Sequence, residues 1–585
     1  MRKIGKTMNS LEKQLNIKIK NIFESLGFET KFAFVKPSDR PDLSDFQCNG
    51  ALALAKTLKQ NPREIGQKIA DTLALDNDIA TVSVDGPGFI NIKLKNEFIA
   101  QNMDEMAHDS RLGCAKTENP YKIVMDFGGP NVAKALHVGH LRSAVIGESI
   151  RRVLSFIGHN VISDVHFGDW GTQMGMILAQ VIFEDGDLSK VETYDVDAIS
   201  NIYKRANIRC KEDEKAAETA RLITADLQNG NKEYVKAWKH LRAVSVAAVK
   251  ENYDELDAHF DLWLGESDAH ETSTKIVEIA HQKGLSEVDD GATIIRLPET
   301  NKPMPPVILV KSDGAFGYQV TDIATIKMRV DDLKADEIIY VVDKRQSLHF
   351  EQVFEVAKML EIAPSTKLEH VGFGTVNGQD GKPFKTRDGG VMNLKDLIEM
   401  SKLKVRSSMP KPDEVEGYGK AEIDKLVSEV AMAAIKFQDL KNTAASGYVF
   451  DLEDFAKFDG KTGPYIQYAI ARINSILRKA DESGVSRGKI IISENDERTL
   501  ALKLAAFENA VARTAEQKEP SIMADYAYNL AQTFSSFYNT CPIMSAVDNE
   551  IKASRLKLAA LVRDALKQAL YLLGIEAPEK MLKAN

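Results

Sequence analysis

Cysteine is scarce. Only four of the 585 residues are cysteine, Cys48, Cys114, Cys210 and Cys541, and no two share a close spacing. That excludes a disulfide-stapled scaffold and a cysteine-based zinc site, and it fits a reducing cytosol. Long hydrophobic runs are also missing. The longest resemble Ile338-Ile339-Tyr340-Val341-Val342, far short of the roughly 18 residues of a membrane span, so no membrane role is expected. The basic opening Met1-Arg2-Lys3-Ile4-Gly5-Lys6 is followed by no apolar segment, so no secretory leader is expected. There is no internal repeat, no low-complexity tract and no basic excess. The 76 Lys+Arg against 85 Asp+Glu leave a net charge of −9, which by itself offers no sign of a nucleic-acid partner. What remains is an ordinary globular composition, 44% hydrophobic and 28% charged. At roughly 100–200 residues per domain, the length suggests about three to five domains.

The chain divides by pattern. Residues 9–109 read as an α/β module. A helix over roughly Ser10 to Ser25 carries Leu11, Leu15, Ile19, Ile22 and Phe23 on one face and stops at Gly27. A second helix runs from Pro62 to Leu75, and Thr81–Val84 and Phe89–Leu94 form a hairpin about Asp85-Gly86-Pro87-Gly88. From Tyr121 a strand (Lys122–Phe127), a glycine loop, a long amphipathic helix ending at Gly158 and a second strand (Val161–Val165) make a βαβ unit of a parallel sheet. Residues from about 185 to 300 are helix-rich and charged, like an insertion, and should hold much of the acidic excess. Strands resume at Pro306–Val310, Glu337–Val342 and Leu368–Val371. Residues 401–419 read as a linker, and 420–585 as amphipathic helices with no clear strand.

Two segments carry chemistry. Asn131-Val132-Ala133-Lys134-Ala135-Leu136-His137-Val138-Gly139-His140-Leu141 follows a strand and opens a helix, the place where parallel sheets hold nucleotides. His137 and His140 share the first helical turn, Gly139 leaves room for a flat base, and the helix N-terminus favours phosphate. Two surface histidines at a helix start are the plain alternative. A protease zinc site is a poor match because the Glu of H-E-x-x-H is absent. The second segment, Gly372-Phe373-Gly374-Thr375-Val376 followed by Asp380-Gly381-Lys382-Pro383-Phe384-Lys385-Thr386-Arg387, sets three cations between glycines. Such a loop suits triphosphate, though alone it would equally make a hairpin turn. Gly460-Lys461-Thr462 imitates the end of a P-loop, but Phe455 stands where glycine is required.

The first segment resembles the "HIGH" signature of class I aminoacyl-tRNA synthetases, and with Pro130 to Lys134 before it, the arginyl family in particular. The second sits where that family carries "KMSKS", here reduced to Phe384-Lys385-Thr386-Arg387-Asp388. The resemblance implies a multidomain α/β fold: a Rossmann-type parallel-sheet catalytic domain over 118–400 with the helical insertion, an N-terminal α/β additional domain meeting the D-loop corner of tRNA, and a C-terminal all-α anticodon-binding bundle. It implies catalytic roles for His137, His140, Lys134 and Lys385. It implies an ATP site built by residues 131 to 141 together with Gly374, Thr375, Val376, Lys382, Lys385 and Arg387, with Mg²⁺ arriving on the nucleotide. Arginine would meet Asp126 and Asn131 at its α-amino end and Tyr318, Asp322 and Gln346 along its side chain, since a guanidinium asks for a carboxylate partner. His166-Phe167-Gly168-Asp169-Trp170-Gly171-Thr172-Gln173 would shape the pocket, with simple packing the alternative for Trp170.

For RNA, Asp564-Ala565-Leu566-Lys567 resembles the family's "DALR" string, in a last helix whose Lys552, Arg555, Lys557, Arg563 and Lys567 read as a basic face. Tyr526, Phe537, Tyr538 and Asn539 are suited to stacking on and reading unpaired bases, with core packing the alternative. The anticodon's middle C, common to arginine isoacceptors, is the base expected to be read. The expected activity is attachment of arginine to tRNA(Arg) through arginyl-adenylate, by a cytoplasmic monomer. The rivals are a class I synthetase of another specificity and a non-catalytic tRNA-binding paralogue.

Overall fold

The apolar strands after Tyr121 assemble side by side. The computed structural model describes residues 10–134, 136–298, 303–378, 381, 392–410, 419–451 and 457–582. Within it, four strands form one sheet in the order Lys367–Phe373, Glu337–Asp343, Lys122–Phe127 and Asn160–Asp164. Every pairing in it is parallel. The two central strands are buried almost throughout, as uninterrupted runs such as Ile338–Val341 require when both faces are covered. The Val138–Phe156 helix makes the crossover between Lys122–Phe127 and Asn160–Asp164. The chain then returns on the opposite side of Lys122–Phe127 as Glu337–Asp343. That reversal of direction opens a crevice beyond the carboxyl ends of the two central strands.

The strand expected at 306–310 forms over Val307–Val310, but in a separate antiparallel sheet with Ala292–Ile295 and Glu287–Asp289. Tyr448–Val449 adds a short strand, paired with Val376–Asn377, in a region read as purely helical. Two residues give too little alternation to be seen in a sequence.

The chain clusters into two compact units, one of residues 117–408 and 430–456 and the other of 1–116, 409–429 and 457–585. In the second, a four-stranded antiparallel sheet is flanked by the Leu11–Ser25 and Pro62–Leu73 helices, capped by Ser10 and Asn61. Its hairpin pairs Ile79–Asp85 with Phe89–Leu94. Helices Gly463–Glu482, Asn495–Ala505, Phe507–Gln517, Ser521–Thr540 and Asn549–Leu572 belong to the same unit. Arg498 joins them to the sheet through the Asp45 carboxylate at 2.6 Å and the Leu94 carbonyl at 3.0 Å.

Here the structure corrects two expectations. The Asn549–Leu572 helix is a core element with thirteen buried residues rather than a basic face. Arg555 is buried against Glu497 at 2.7 Å, Lys557 reaches Asp104 at 2.6 Å and Lys567 reaches Glu579 at 2.5 Å. Their charges answer acids of the fold, and helical periodicity carries no information about those distant partners. Tyr526 and Phe537 likewise lie in the core, at 6% and 0% exposure, while Tyr538 is half-buried and Asn539 exposed. Thr462, from the imitation P-loop, caps the Gly463–Glu482 helix.

Candidate active site at the sheet's switch point

The site begins where Lys122–Phe127 ends. Gly128 turns the chain with φ +74°, and its carbonyl accepts the hydroxyl proton of buried Tyr253. Further on, the Ala133 amide donates to Ser245 Oγ at 3.2 Å, and Gln173 donates to the Val132 carbonyl. Asn131 bridges to Gly168, where a side chain at 168 would collide with the Asn131 carboxamide. Tyr253 and Ser245 both come from the insertion helix Lys232–Glu255, so the insertion buttresses the loop.

His137 and His140 then form a reciprocal cap. The Gly139 amide donates to His137 Nδ1 at 3.0 Å, and the His137 amide donates to His140 Nδ1 at 3.0 Å. The rings lie 4.0 Å apart between centroids. Since each Nδ1 accepts a backbone N–H, each neutral ring keeps its proton on Nε2. Burial, then the charge of Lys134, lowers the His137 pKa; burial, then the neighbouring His137, pushes that of His140 down to about 3. The pair therefore offers two neutral N–H donors at neutral pH. This is more specific than two polar histidines at a helix start.

Both histidines line a cleft of about 290 Å³ at the switch point, together with Asp126, His166, Asp322, Asp343, Arg345 and Gln346. Three carboxylates, Asp126, Asp322 and Asp343, belong to that lining. Asp322 accepts from His349 Nε2 at 2.5 Å. The Asp126 Oδ2 oxygen accepts from buried Arg329 at 2.6 Å, and burial raises the Asp126 pKa against the pull of that guanidinium. Glu266 sits in the same electrostatic neighbourhood. Burial first, with Asp322 and Asp169 adding to it and His166 opposing, takes its pKa up to about 7. Both ring nitrogens of His166 are buried without a hydrogen-bond partner.

Not every expected residue joins the cleft. Tyr318 is 63% exposed at the start of the Tyr318–Asp331 helix, with the Lys311 ammonium 5.2 Å from its ring. Lys134 lies 5.2 Å from the Tyr203 ring and lines a neighbouring cavity. Leu136, Val138 and Leu141 are buried supports of the helix start. Gly374 is gripped on both sides: its amide donates to the Ala444 carbonyl, and its carbonyl accepts from Arg142 at 2.8 Å. Arg142, in the histidine-bearing helix, is itself buried against Asp439 at 3.1 Å, so that helix holds the stem of the second motif. Thr375 Oγ1 bonds Asn377, and Val376 is buried. Ala135, Lys382, Lys385 and Arg387 lie outside the described residues.

Glu266 and Arg329 were not foreseen. Glu266 sits inside what reads as an insertion and carries no motif. Arg329 had one available signal, its position seven residues after Asp322 and so on the same helical face.

A family model described as "tRNA synthetases class I (R), catalytic domain" matches residues 102–452. The chain belongs to the arginyl-tRNA synthetase family. Models for the arginyl-tRNA synthetase N-terminal domain and the DALR anticodon-binding domain match residues 9–94 and 466–581. It is 44% identical to the arginine–tRNA ligase of Hyphomonas neptunium, over 98% of this chain and 100% of that protein, and 43% identical with the same coverage to that of Alkaliphilus oremlandii. Among solved structures, the arginyl-tRNA synthetase of Plasmodium falciparum superposes with a TM-score of 0.82 at 26% identity, covering 99% of this chain and all of the other. The family's activity is this chain's activity: it attaches arginine to tRNA(Arg) using ATP. No helix among the described residues is long and apolar enough to cross a membrane.

Proposed function

We propose a division of labour in which the switch-point cleft forms arginyl-adenylate. Arginine lies along the carboxylates, its α-ammonium toward Asp126 and Asn131 and its guanidinium toward Asp322 and Glu266, with Gln346 in the lining and Tyr318 meeting it only from the exposed start of the Asp322 helix. ATP enters with its own Mg²⁺ and lies over Gly139, between the histidine pair and the Gly374–Val376 stem. Lys134 and the cations of the second motif, Lys382, Lys385 and Arg387, meet its phosphates. The arginine carboxylate attacks the α-phosphate, forming a C–O–P linkage as the bond to pyrophosphate breaks. The Nε2–H groups of His137 and His140 donate to the oxygens that gain charge in that transition state. Neutral donors held in advance by backbone bonds need no reorganisation as charge develops. The terminal ribose hydroxyl of the tRNA then takes the arginyl group and AMP leaves.

The reciprocal histidine cap, facing a carboxylate-lined cleft, is the observation that carries this reading. For RNA, exposed Asn539 and half-buried Tyr538, whose ring has the Arg472 guanidinium 4.3 Å away, are better placed to meet bases than the buried Tyr526 and Phe537. The four unpaired cysteines support work in a reducing compartment. The deciding experiment is amino-acid-dependent ATP–pyrophosphate exchange with tRNA present, each amino acid in turn. Arginine alone should support it; exchange with another amino acid and not arginine would overturn the reading.

A further inference from the structure

Three side chains lie in one row across the sheet. Tyr340, Asp126 and Asp164 are register partners on adjacent parallel strands, so all three project from the same face. Two carboxylates placed opposite each other repel, and here Asp164 is fully buried and Asp126 is 7% exposed. Arg329 covers the row. Its Nη2 donates to Asp126 Oδ2 at 2.6 Å and to Asp164 Oδ2 at 2.8 Å, and its guanidinium carbon lies 5.3 Å from the Tyr340 ring centroid. Nε and Nη1 of the same guanidinium are buried without a hydrogen-bond partner. The fork is therefore poorly used for its own bonding. One nitrogen serves both acids, and of the two Asp126 also lines the cleft.

Arg329 and Asp322 belong to the same helix, Tyr318–Asp331, two turns apart on one face. Asp322 is held from outside by His349, and both Asp322 and Asp126 line the cleft. A single rigid rod thus carries one carboxylate and grips the other. We infer that this helix is a length gauge for the amino-acid substrate, with Arg329 the positioning residue that sets the α-amino anchor, Asp126, at a fixed distance from the side-chain anchor, Asp322. The substrate class is α-amino acids bearing a terminal guanidinium, and the gauge selects among them by the number of methylenes between the two charged ends. The rise of about 1.5 Å per residue over seven residues separates the two backbone positions by roughly 10 Å, which cannot change without moving the whole helix. This inference rests on the placement of arginine proposed above.

The test compares arginine with homoarginine, one methylene longer, and 2-amino-4-guanidinobutanoate, one shorter, as kcat/KM in tRNA-supported exchange by the full chain. Arg329→Lys keeps the charge but loses the planar fork. Asp164→Asn frees Arg329 from its second acid without touching substrate. A fitted pocket separates substrates differing by one methylene by about 10–200-fold, and Arg329→Lys should erase about tenfold of that preference while the KM for ATP stays unchanged. Asp164→Asn should act in the same direction by less, and it decides the matter if the lysine variant does not fold. An equal loss for all three amino acids, with their ratios intact, would mark Arg329 as a structural counter-ion and end the proposal. Asp126→Asn and Asp322→Asn are run alongside. If neither raises the KM for arginine, the binding reading itself fails. If both raise it while the Arg329→Lys and Asp164→Asn ratios stay at the parent value, only the gauge fails.

Discussion

The two walls of the cleft are built by opposite strategies. The wall proposed to take the nucleotide is local: a strand end, a loop and a first helical turn place His137 and His140, and the backbone amides of residues 137 and 139 orient their rings. The wall proposed to take arginine is assembled from distance. Asp126 comes from the Lys122–Phe127 strand and Asp322 from the Tyr318–Asp331 helix, with Arg329 bonded to Asp126 and His349 to Asp322, while Glu266, from the insertion, acts on Asp322 through charge alone. The histidines are proposed to donate as neutral rings, and burial favours that form. The carboxylates must work charged, so burial opposes them and counter-ions become part of the design. A recognition site for a cation therefore needs a second layer of side chains that a phosphate site built on backbone does not.

Variants can separate the walls. The largest effect is expected at the nucleotide wall: His140→Ala removes one preorganised donor and should lower kcat for exchange by about 10²–10³-fold with tRNA affinity unchanged. Because burial holds the His140 pKa near 3, lowering the assay from pH 8 to pH 6 should not charge this residue. Next comes the arginine wall. Asp322→Asn should raise the KM for arginine by about 10–100-fold, the value of one charge-assisted hydrogen-bonded pair, and leave the KM for ATP nearly unchanged. If both KM values rose together, the two walls would not be separable.

A smaller effect is expected from pH. Glu266, with its pKa taken up to about 7, is largely protonated below that value and a carboxylate above it. Guanidinium binding favours the carboxylate, so arginine should bind more tightly as pH rises from 6 to 8, by up to about tenfold per pH unit below the pKa. Glu266→Gln should flatten that profile; a slope that survives the substitution belongs to another group. The smallest effect lies behind the loop. Tyr253→Phe leaves the Gly128 carbonyl without its hydroxyl donor, and a destabilisation of about 1 kcal/mol in denaturant unfolding is expected, with arginine and ATP kinetics nearly intact.

Much of the first wall was readable before any folding was considered. The strand over Lys122–Phe127, the helix opening at Val138 and the pairing of His137 with His140 follow from an apolar run, a helical period and a three-residue spacing, all of which act within a few residues. Side-chain charges obey no such range. Lys557 and Arg555 read as a basic face but close on Asp104 and Glu497, and the whole-chain charge of −9 says nothing about where the tRNA would bind. The sequence by itself determined most of the elements, their order and the histidine-bearing turn, because hydrogen bonds along the backbone connect near neighbours. Tertiary structure alone decided that Arg329 grips Asp126 and Asp164, that the charge of Asp322 acts on Glu266, and that an apparent insertion props the loop of the site. Those interactions join segments about fifty to two hundred residues apart, and only the folded chain brings such groups within reach of one another.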